Sequence, residues 1–119
     1  MNATTDLLIR VLKGSIHMTI HLKRLERQVF GDIAEEIQTF VLKSSTEGNY
    51  KKGDLLVFCE TGENGEFLNR ILVKEVSHIT KEVPGLKKNW EIVSFHRIKS
   101  SRIADFIEIN RRVKELFKK

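Results

Sequence analysis

The sequence predicts an α+β domain, a small barrel of about five strands flanked by helices. Three observations lead there. Five short stretches carry β patterning, at residues 18–25, 39–43, 55–60, 66–76 and 90–98. Helical patterns stand before, between and after them, at residues 4–13, 27–37 and 102–117. Asn64-Gly65, between two of the β stretches, is the strongest hairpin signal in the chain. At 119 residues the chain suits one domain with one core. Its expected parts are an N-terminal helical extension (1–17), a barrel core (18–98) and a basic C-terminal helix (99–119).

Each element has a local reason. Residues 4–13 carry the apolar stripe Leu7, Leu8, Val11 and Leu12, with Thr4 or Thr5 as cap and Gly14 as stop. Residues 18–25 alternate, with apolar side chains at 18, 20 and 22 and Thr19, His21 and Lys23 between them. In residues 27–37, Val29, Ile33 and Ile37 recur every four residues beside Phe30 and Ala34. Residues 39–43 are β-rich, and residues 44–52 hold turn formers. Residues 80–89 form a second loop with the only proline, Pro84, followed by Gly85. Ser100 or Ser101 caps a last helix with Ile103, Phe106, Ile107, Val113, Leu116 and Phe117 on its apolar side.

Composition limits the function classes. Charged residues make up 31% and apolar ones 40%, as in ordinary soluble proteins. The longest apolar run, Leu55 to Cys59, is too short to cross a bilayer. The N-terminal pattern lacks the order of a secretory signal, so a cytoplasmic location is expected. Cys59 is the single cysteine, which excludes an internal disulfide and a cysteine-based metal site. No cofactor or metal is expected. The net charge of +5 lies wholly in residues 97–119, where eight basic side chains face three acidic ones. Such asymmetry points to an anionic partner, most simply nucleic acid, or to a solvated helix.

The order of motifs from His21 to Asp54 resembles the ASCH superfamily of PUA-like β-barrels. Within it, the chain is similar to a small bacterial and phage family of uncharacterised function. His21 takes the place of the family's opening histidine, and Phe30 follows at the expected spacing. The segment Glu36-Ile37-Gln38-Thr39-Phe40-Val41-Leu42-Lys43 aligns without a gap on the signature Gly-x-Lys-Thr-Phe-Glu-Ile-Arg. Gly53-Asp54 then precedes a strand, as in the family. Glu36 replaces the signature glycine, Gln38 the lysine, Val41 the glutamate and Lys43 the arginine. The resemblance covers residues 18–98 and implies a PUA-like barrel with a cleft beside the signature strand that takes RNA or a nucleotide. Some superfamily members are amidohydrolases that remove an acyl group from modified cytidine with a Lys, a Thr and a Glu. Thr39 is kept here, but Gln38 cannot act as a general base and Val41 carries no carboxylate.

The expected contacts follow from these residues. His21, Gln38 and Val41 belong to the signature-strand cleft. Lys23, Arg24, Lys43, Lys51 and Lys52 form a cationic rim, with Thr39 inside it and Tyr50 available for stacking. Trp90 and Phe95 are expected in the core, and Glu60 in solvent. Arg111, Arg112 and Lys114 present the charge of the C-terminal helix, which packs on the barrel or pairs with a second copy. The leading expectation is a non-catalytic RNA-binding domain. The alternatives are a phage-type regulator of a host protein and a nucleoside amidohydrolase with a degenerate site.

Overall fold

The computed structural model describes residues 19–44 and 48–117, without the side chains of Ile103, Asp105, Leu116 and Phe117. The expected helix at 4–13 lies outside the described residues. The elements in chain order are strand β1 (Ile20–Glu26), helix α1 (Arg27–Ala34), and strands β2 (Phe40–Ser44), β3 (Leu55–Thr61), β4 (Phe67–Lys81) and β5 (Trp90–Arg97). A 3₁₀ turn (Ser100–Arg102) then leads into helix α2 (Ile103–Phe117).

The five strands form one sheet in the order β1-β3-β4-β5-β2. Only β1 and β3 run parallel, and α1 and β2 lie in the crossover between them. All other pairs are antiparallel. The β3–β4 hairpin turns at Gly62 to Glu66, with Gly65 in the left-handed region that the Asn64-Gly65 signal requires. The sheet curls as a half-barrel rather than closing fully. Its two edges still come near each other, because the Lys23 ammonium on β1 donates to the Leu42 carbonyl on β2 at 3.1 Å. A lysine crosses the seam that a strand ladder would otherwise close.

Strand alternation divides the core in two. Ile20, Leu22, Leu55, Val57, Cys59 and Val73 face outward and meet Ile109 and Val113 of α2. Leu25, Leu56, Phe58, Val76, Val93 and Phe95 face the concave side and meet Phe30 and Ile33 of α1. The Cys59 thiol, sealed in the outer layer, is pushed up to about 12 by burial, so it stays protonated. The buried stripe of α2 runs through Phe106, Ile109 and Val113, at spacings of three and four. Ile107, expected on that stripe, is instead 62% exposed. It lies two residues from Ile109, which puts it on the far side of the helix.

The signature segment has a local explanation. After α1 the Ile37 amide donates to the Asp32 carbonyl and the Glu36 amide to the Ile33 carbonyl, a Schellman end. The residue at its left-handed position is Glu36, with φ of 62°. A glycine suits that backbone best, which explains the glycine of the signature. Glu36 adopts it here and forms an ion pair with Arg97.

Candidate functional site

Two hollows stand out among the described residues, the first where strands of the sheet end and the second on its concave side. The first has a volume of about 380 Å³ and lies between the 82–89 loop and the ends of β2, β4 and β5. Its walls include Lys43, Asn49, Lys81, Leu86, Lys87, Lys88, Trp90 and Glu91. The loop owes its shape to two successive turns. Pro84 and Gly85 occupy the centre of the first, closed by the Leu86 amide on the Val83 carbonyl, with Gly85 at φ of 88°. The second is closed by the Trp90 amide on the Lys87 carbonyl, with Asn89 at φ of 73°. Together they set Lys87, Lys88 and Trp90 around one opening.

The floor of this hollow is a polar chain. Lys43 and Glu91 are direct cross-strand partners, 2.7 Å apart, and Lys81 meets the same carboxylate at 3.2 Å. Two cations hold the Glu91 carboxyl below its ordinary range, the Lys43 hydrogen bond contributing most. Lys43 is only 2% exposed, and its ammonium stands 5.3 Å from the Tyr50 ring centre. Tyr50 stacks on His21 at 3.9 Å, and His21 Nε2 lies 2.8 Å from Asp54 Oδ2. The same Asp54 oxygen accepts the Lys51 amide at 2.9 Å. The turn at Lys51 to Asp54, with Gly53 at φ of 94°, thus anchors the His21–Tyr50 stack.

The second hollow, about 500 Å³, is a groove between the end of α1 and strands β4 and β5. Ile33, Glu36, Gln38, Thr39, Lys74, Phe95, His96 and Arg97 line it. Glu36 is held below the usual carboxylate range, chiefly by the Arg97 hydrogen bond.

The expected binding residues do not form one surface. Lys43 is not part of a cationic rim, since it is buried against Glu91. Val41 does not line the cleft either: it is buried in the inner core. Gln38 and Thr39 border the second hollow, while His21 and Tyr50 belong to the polar chain beside the first. Lys23 reaches across the seam, and Arg24, Lys51 and Lys52 are exposed. Glu60 was expected in solvent but is buried, 3.6 Å from Arg70.

The C-terminal cations are also placed differently. Helix α2 packs on the outer face, opposite the face that carries Lys43. Arg111 pairs with Glu108 and Glu115, and Arg112 with Glu108. Arg102 pairs with Glu75. Much of the positive excess in this segment is therefore matched locally, and Lys114 is half-buried. Further residues of the first hollow come from outside the signature segment. Lys81, Lys87 and Lys88 carried no motif, and Trp90, expected in the core, is 37% exposed. The cluster Lys87-Lys88-Asn89-Trp90 was the available signal, a cationic turn ending in an aromatic.

Among the described residues no three His, Cys, Asp or Glu side chains converge to hold a metal ion. No helix among them is long and apolar enough to cross a membrane. No curated protein matches the chain. A family model described as a domain of unknown function, DUF3850, matches residues 20–95, from the first residue of β1 into β5. The match spans the half-barrel and both hollows' main walls, and the chain belongs to the DUF3850 family.

Proposed function

We propose that this domain is a cytoplasmic, PUA-like module of the ASCH type that binds single-stranded RNA without acting on it chemically. The observation that carries this reading is the hollow beside Trp90. Its volume, about 380 Å³, is in the range that holds one small ligand such as a nucleoside. It combines an exposed indole with Lys43, Lys81, Lys87 and Lys88, against Glu82 and Glu91. A base stacks on the indole, and the flanking phosphates meet Lys87 and Lys88. Lys43 and Glu91 hold the floor rigid, and Asn49 and Asn89 offer amides to a base edge.

A non-catalytic role is supported by the signature strand. Val41, in the position of the family glutamate, is packed in the core, and Gln38 spends its amide on the Phe40 carbonyl at 2.7 Å. The C-terminal helix is left out of the binding surface, because its arginines are paired and on the other face.

Fluorescence anisotropy with short labelled single-stranded and duplex RNA tests the proposal. Micromolar binding of the single strand, with a salt slope of about −1.4 for the two engaged lysines, is expected. Absence of binding at low salt rejects it. The regulator reading then gains weight from Phe40 and Leu42, both 44% exposed on the outer face of β2.

A further inference from the structure

Lys74 is the least explained charge in the molecule. It lies in the middle of β4, opposite Leu56 on one side and Arg97 on the other. Only 9% of the residue is exposed. No hydrogen bond or ion pair engages its ammonium among the described residues. No side-chain nitrogen or oxygen described is both sealed from solvent and unbonded, so the ammonium has an opening. That opening is the groove it lines with Thr39 and Arg97.

Two like charges placed directly across a strand pair repel. Glu36 acts on Lys74 through space, but its carboxylate is already hydrogen-bonded to Arg97. One carboxylate thus serves two cations at the mouth of a hollow whose inner walls are Ile33 and Phe95. Burying a lysine stem while leaving its head without a counter-charge is costly, and a bound anion removes that cost. The contrast with Lys43 is direct, because that ammonium has Glu91 at 2.7 Å.

We propose that this groove binds a small organic anion. Its carboxylate or phosphate head lies between Lys74 and Arg97, with the Thr39 hydroxyl as a further donor, and its apolar body rests on Ile33 and Phe95. The site is separate from the Trp90 hollow and does not depend on RNA binding there.

Calorimetric titration of the full chain tests it, with sodium acetate, benzoate, inorganic phosphate and a nucleoside monophosphate as probes. Ionic strength is held constant with chloride. Saturable binding of benzoate or the nucleotide, tighter than that of acetate or inorganic phosphate, is expected. Lys74→Met keeps the stem and removes the charge, so affinity falls by about ten- to a hundredfold. Arg111→Ala leaves it unchanged. Lys74→Gln serves the same purpose should the methionine variant fail to fold. Tighter binding of inorganic phosphate than of the organic anions overturns the apolar half of the proposal. Absence of saturation by all four probes, or equal binding by wild type and the Lys74 variants, overturns the whole.

Discussion

Two lysines on the concave face of the sheet differ in a way that separates scaffold from site. Lys43 on β2 and Lys74 on β4 are both buried. Lys43 is enclosed by Glu91 and the Tyr50 ring, so its charge is used within the protein. Lys74 has no such partner among the described residues and opens into a groove. A buried cation with a matched anion holds the fold, whereas one with an opening and no partner is available to a ligand.

Mutation separates the two most sharply. Glu91→Ala leaves Lys43 buried without its main partner and should lower stability by about 3 kcal/mol, read by urea denaturation. Lys74→Met should leave stability unchanged or raise it, since no ion pair is broken. A loss at Lys74 as large as that at Glu91 erases the distinction.

Next in size is the binding effect at the first hollow. Trp90→Ala should weaken single-stranded RNA binding about tenfold, matching one stacked base, with little change in the salt slope. Replacing Lys87 and Lys88 together should flatten that slope while leaving the stacking contribution in place.

Acid gives a finer test of the Lys43 end. The native Glu91 carboxyl lies below its ordinary value of 4.5, mainly through the Lys43 hydrogen bond. A depressed carboxyl contributes stability that is complete above the unfolded value and is lost as pH falls through the lower native one. Melting temperatures measured from pH 6 downward should therefore drop below about 4.5, and Glu91→Gln should flatten part of that drop. The smallest effect is expected at the outer helix. Arg111→Ala breaks only exposed pairs along α2 and should leave both RNA affinity and melting nearly unchanged.

The course of the chain was legible where local chemistry decides it. The alternation through Val41 and Lys43, the Asn64-Gly65 turn and the helix starting at Arg27 all appear within a residue or two of expectation. The site was less legible, because it depends on which face a helix covers. Trp90 and Ile92 have the pattern of a half-buried strand, yet α2 covers the other part of the outer layer and leaves Trp90 open. Lys43 read as a surface cation because its counter-charge, Glu91, lies 48 residues away in sequence. Arg111 and Arg112 read as free charge although Glu108 and Glu115, three and four residues away, were present to match them. Lys74 carried no local signal, since its significance lies in having no hydrogen-bonded or ion-paired partner among the described residues.

Trp90 is the only tryptophan, so its emission reports directly on the first hollow. Titration with an unlabelled single-stranded oligonucleotide at low salt should quench that emission saturably, and added salt should reverse the quenching. Emission that stays constant while the same oligonucleotide binds by anisotropy would contradict the account, because the strand would then be held elsewhere on the molecule.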